Sequence, residues 1–240
     1  MSQYYETPNQ EVVSPKSSTG LLSFAKVFLY MFIGLAITAA VAFGVGAALA
    51  YTATDVESLT KTCIGLWIGS GIVLIILMIV INFVVMRGKH SVLIPAILYA
   101  VTMGVLMSAF TLFVDWRLLG MAFGITSGAF LIMTLIAVFT KGNLSPLLMV
   151  AMGLMLGGLI LALVNWLIGS ETIYWLVSFA IFAAIMFITI FDIWNIKKIT
   201  ERGAMNTNLE LYCAFTLYVD FIYILIRIIY FLILIYGKSR

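Results

Sequence analysis

The chain has 240 residues, 64% of them hydrophobic and 10% charged, with a formal net charge of +3. A soluble domain is about a quarter charged, so this composition excludes one and indicates an all-α polytopic membrane protein. The basic residues sit in short loops rather than on one patch, which excludes a nucleic-acid partner, and Cys63, Cys213 and the single His90 make neither a disulfide framework nor a Cys/His metal cluster.

Residues 1–20 (MSQYYETPNQEVVSPKSSTG) are polar, with two prolines, and read as a disordered cytoplasmic tail. Seven apolar segments follow, at Leu21–Tyr51, Cys63–Met86, Val92–Phe113, Leu118–Thr140, Leu144–Ile168, Ile173–Ile196 and Leu209–Tyr236. Each is at or above the ~20 residues a helix needs to cross a bilayer. They form one membrane domain, 21–236, followed by a short tail, 237–240. The first holds Ala48-Leu49-Ala50, similar to a signal-peptidase site. Its apolar run far exceeds the ~7–15 residues of a cleavable signal, so it reads as a retained anchor helix.

Small residues repeat at steps of four: Gly65 and Gly69 in the second segment, Gly120, Gly124 and Gly128 in the fourth, Gly153 and Gly157 in the fifth. Such faces let helix backbones approach closely in lipid, and helix contacts are expected there. Orientation follows the basic residues. Lys16, Lys26, Arg87, Lys89, Lys141, Lys197, Lys198 and Arg202 lie in the N-terminal region and after the even-numbered segments; Lys61, Arg117, Lys238 and Arg240 lie on the other side. The N-terminus is therefore expected in the cytoplasm and the C-terminus outside, in a plasma membrane that is bacterial on the strength of Ile richness and short loops.

The seventh segment contains LYVDFIYILIRIIY, an apolar run interrupted by Asp220 and Arg227. Tyr212, Thr216, Asp220, Tyr223, Arg227 and Tyr230 follow at helical spacing and so share one face. Central charges facing lipid cost about 2.5–3.5 kcal/mol each, so this seam must face protein or a water-filled cavity, and the helix is expected at the centre of the bundle. Thr216, Tyr223 and Arg227 are candidate pore-lining residues. Arg227 is expected to snorkel outward or to pair with Glu171 or Asp115.

Asp192, in the sixth segment, is the other acid well inside a span. A helix continued to Glu201 puts it ~13 Å above the turn, and one begun near Asn208 lifts Asp220 ~18 Å, so the carboxylates reach similar depth. An intramembrane Asp can be interhelical glue, and Thr189 and Asn195 flank Asp192 for that purpose. Two acids at matched depth point instead to function. Close carboxylates in a dry setting share a proton and titrate as a unit. Their oxygens also suit Ca²⁺, but two side chains fall short of its usual ~6–8 ligands, which fits transient binding of a permeant ion rather than storage.

The segments IFDIWNIKKI (190–199) and LYVDFIYILIRI (217–228) resemble the most characteristic stretches of the transmembrane Bax-inhibitor-motif family. Weaker similarity lies in GLAITAAVA (34–42), VTMGVLMS (101–108) and FTKGNLSPLL (139–148). The resemblance implies two three-helix layers around a central seventh helix. It also implies a pH-sensitive Ca²⁺ leak regulated by an aspartyl pair, here Asp192 and Asp220, with Arg87 of VVMRGKH in the position of a latch onto Asp220. The chain departs from the family pattern at Tyr223, where an Asn is common, and in the early arrival of Arg227. No cofactor is expected; Ca²⁺ and protons are the ligands. A proton-coupled transporter of a small solute, or an interaction protein acting on a membrane protease or stress response through an unidentified membrane-protein partner, are the alternatives. With one His, no triad and no phosphate loop, enzymatic activity is not expected.

Overall fold

The computed structural model describes residues 17–52, 55–87 and 91–237. Among them are seven α-helices and no strand: α1 (Ser17–Thr52), α2 (Val56–Arg87), α3 (Leu93–Phe113), α4 (Trp116–Phe139), α5 (Ser145–Ile168), α6 (Glu171–Glu201) and α7 (Thr207–Gly237). All seven are long and apolar enough to cross a membrane. The chain is an integral membrane protein of the expected class.

Two helix starts differ from expectation by more than two residues. Helix α1 begins at Ser17, inside the stretch read as a tail, while residues 1–16, Lys89, His90 and 238–240 lie outside the described residues. Helix α2 begins at Val56 rather than Cys63 because its polar first turns carry their own support: Lys61 Nζ stands 2.7 Å from Glu57 Oε1, one turn away. Hydropathy marks where a helix enters lipid, not where its hydrogen bonds begin.

Turn chemistry sets the remaining ends. Asp115 caps α4 by accepting from Arg117 N at 2.9 Å. Gly169, at φ 71°, closes α5 in the left-handed region, and Asn165 Oδ1 accepts from Ser170 N at 2.9 Å. Gly203, at φ 66°, turns the chain after α6, and Asn206 Oδ1 caps α7 by accepting from Leu209 N at 2.8 Å.

The helices form two layers. In one, α3 packs between α1 and α2; in the other, α6 packs between α4 and α5. Helix α7 runs between the layers against α1, α4 and α6, and it is the most buried helix, whereas peripheral α5 is the least. Leu217, Phe221 and Ile224 fill the core from α7, with Phe221 5.6 Å from the ring centroids of both Phe123 and Phe130.

The glycine expectation is corrected. A Cβ on any of Gly65, Gly69, Gly120, Gly124, Gly128, Gly153 or Gly157 would meet nothing within 4 Å, so these stripes hold no helices together within the chain. The close approach is at α1–α3 instead. A Cβ on Gly104 would stand 2.6 Å from Val41 Cβ and 2.8 Å from the Thr38 carbonyl oxygen. There Thr38 donates to Ala100 O at 3.0 Å and, its proton used, accepts from Tyr218 at 2.7 Å, tying α1, α3 and α7 together.

Candidate functional site

Helices α6 and α7 are antiparallel neighbours joined by residues 202–206. Counting 1.5 Å per residue, Asp192 lies ~13 Å from the end of α6 and Asp220 ~20 Å from the start of α7. The fold brings their carboxyl groups into electrostatic contact. Asp220 is 7% exposed, and its Oδ2 is fully buried with no hydrogen-bond partner. The Thr189 hydroxyl, itself buried, faces Asp220 while donating to Ile185 O at 2.9 Å. Asp192 is half-buried and lies beside Tyr212 and Cys213. A buried carboxyl oxygen left unpartnered is an expensive arrangement, and structural glue would satisfy it.

The seam on α7 follows as one face, but it is more open than its position on the central helix suggests. Tyr212 donates to Asn82 Oδ1 of α2 at 3.1 Å. Thr216 donates back to Tyr212 O at 3.1 Å. Tyr223 is 43% exposed while its hydroxyl meets Tyr99 of α3. Arg227 is half-buried beside Tyr230, whose hydroxyl bonds to Tyr174 of α6. The polar face thus meets α2, α3 and α6 through its side chains. It emerges at the surface at Tyr223.

Arg87 is not brought into this group. It is exposed at the end of α2, its guanidinium carbon 4.1 Å from the Phe83 ring centroid. Among the described residues the ion pairs are Lys61–Glu57 and Lys197–Glu201, so Arg87 has no ion pair with Asp220, and Arg227 pairs with neither Glu171 nor Asp115. Asp115 serves as the α4 cap instead.

Sequence reasoning missed Asn82, Tyr99 and Tyr174, which meet the α7 seam. Asn82 carried a signal, being the one amide in the apolar run IVLIILMIVINFVVM; the tyrosines carried none. Glu210, in the first turn of α7 where the helix dipole favours an acid, is 5% exposed. Among the described residues no three His, Cys, Asp or Glu gather as a metal site. Two carboxylates and a hydroxyl can hold Ca²⁺ only in passing.

Comparison with known proteins places the chain in a wider group. Residues 22–237 match the family model described as inhibitor of apoptosis-promoting Bax1. The chain is 27% identical over 239 residues to the inner membrane protein YbhL of Escherichia coli, in strain K12 and in strain O6:H1, covering 97% of each sequence. No solved structure matches.

Proposed function

The chain belongs to the Bax1 inhibitor family, and from that premise we propose that it is a pH-sensitive Ca²⁺ leak channel regulated by the Asp192–Asp220 pair. The observation that carries this reading is the buried, unpartnered Oδ2 of Asp220 beside a second carboxyl group inside the span. Such a pair exchanges a proton with its surroundings at a small energetic difference and offers hard oxygens to a passing cation. The relative in Escherichia coli is named an inner membrane protein; we place this chain in a bacterial plasma membrane, N-terminus in the cytoplasm.

In this mechanism an ionised Asp220 attracts the guanidinium of Arg87, and an inward shift of α2 along α7 brings the two together as a latch. Acidification adds a proton to the pair, neutralises Asp220 for part of the time and releases Arg87. The position of Arg87 on Phe83 is compatible with the released state. The unbroken helices support a channel over a proton-coupled transporter, for which discontinuous helices are expected.

The test is Ca²⁺ flux into proteoliposomes of the purified chain, with Asp192→Asn and Asp220→Asn compared at each pH. Altered flux and altered pH response are expected for Asp220→Asn. If both variants keep the parent flux at every pH, the pair is interhelical glue.

A further inference from the structure

The opposite side of α7 borders an apolar space away from the two aspartates. A cavity of about 470 Å³ lies between α1, α3, α4 and α7, in the half of the bundle holding the α3–α4 turn. Its α7 wall is Ile222, Leu225 and Ile229. At 3.6 residues per turn these stand about 140–200° round the helix from Asp220.

Two threonines, Thr38 and Thr111, are its hydroxyl-bearing lining residues, and both hydroxyls are engaged elsewhere. Thr38 is held between Ala100 O and Tyr218, and Thr111 donates to Ser108 O at 2.7 Å. A space so lined gives water no partners and suits hydrocarbon. Its volume falls in the range of about 300–1,000 Å³ typical of ligand sites.

The α4 wall adds a polar rim. Trp116, Leu119, Gly120 and Phe123 recur at helical spacing and line the cavity. Trp116 is 74% exposed at the start of the helix, and the Arg117 guanidinium carbon lies 5.8 Å from its ring centroid. Arg117 is exposed and forms no ion pair among the described residues. Trp at this level is characteristic of a membrane interface, where anionic headgroups meet Arg. From Arg117 down to Phe123 is ~9 Å along the axis, the step from a headgroup to the upper part of its chain.

We propose that this cavity binds one acyl chain of an anionic phospholipid whose phosphate is held by Arg117. The charge of the rim selects the headgroup; the engaged hydroxyls select hydrocarbon over water. Gly120 leaves room on the α4 wall, since a Cβ there would meet nothing within 4 Å. A larger side chain at this position therefore fills the site without displacing a neighbour.

Native mass spectrometry of the full chain released from detergent, titrated with phosphatidylglycerol or phosphatidylcholine, tests this. One phosphatidylglycerol should be retained roughly five- to tenfold more tightly than phosphatidylcholine, whose choline cation offsets the phosphate charge that attracts Arg117. Arg117→Gln, an exposed change that leaves the fold alone, should bring the two lipids to equal affinity. Gly120→Phe should abolish retention, with helicity and thermal unfolding unchanged. Equal binding of the two lipids by the parent chain, no retained lipid, or undiminished retention in a folded Gly120→Phe would mean annular lipid only and overturn the assignment.

Discussion

At the scale of single residues, Asp220 and Tyr218 stand two positions apart on α7 and meet opposite fates. Tyr218 gives its proton to Thr38, which already serves Ala100 O, so every polar group of that knot is used. Tyr218→Phe should lower thermal stability in detergent by about 1 kcal/mol, the net worth of one buried hydrogen bond, without touching flux. Asp220 leaves Oδ2 unpartnered, so an amide of the same shape removes a charge rather than a bond network. Asp220→Asn should unfold no earlier than the parent chain yet change both Ca²⁺ flux and its pH response. Arg227, half-buried beside Tyr230, should tolerate Lys with much smaller effect on flux.

Between elements, the glycines separate contact from coincidence. Gly104 lets α1 and α3 touch backbone to side chain, and any larger residue must force them apart. Gly104→Leu should cost about 1–3 kcal/mol by overpacking, whereas Gly124→Leu, facing open space, should stay within about 0.5 kcal/mol. Thermal unfolding of the two variants side by side checks the contrast. Spacing alone cannot distinguish them, because a repeat of four says which residues share a face and nothing about what that face meets. The α2–α7 contact teaches the same lesson: Arg87 was the expected bridge, and Asn82 with Tyr212 makes it.

For the whole molecule, the ends of α4 and α6 lie at one side of the bundle. Lys197 Nζ donates to Val138 O at 2.7 Å and Trp194 Nε1 to Gly142 O at 3.1 Å. Cysteines placed at positions 141 and 197 should therefore label from the same side, the cytoplasmic one by the distribution of Lys and Arg, and position 171 from the other. External labelling of position 141 in intact cells would reverse the assignment. For pH, protonation of the pair should release Arg87, so leak is expected to rise from about pH 8 to about pH 6 and then flatten as the negative charge that attracts Ca²⁺ is lost. Arg87→Ala should leak already at about pH 8 and respond less to acid, as the same proton-sharing pair then has no latch to release. A flat profile for the parent chain would remove the latch from the mechanism.

The sequence by itself determined the seven spans and the central place of the last helix, and it set Asp192 and Asp220 at similar depth. These follow from local physics: bilayer thickness fixes segment length, desolvation forbids a charged seam from facing lipid, and a fixed rise per residue sets depth along two helices joined by a short turn. Tertiary structure alone decided which glycines carry contacts, that Arg87 rests on Phe83, and that Asn82, Tyr99 and Tyr174 meet the polar face of α7. Those depend on the rotation of each helix about its own axis. Packing of whole faces sets that rotation, and α2 and α3 present apolar residues on nearly every side, so their own sequences leave it undetermined.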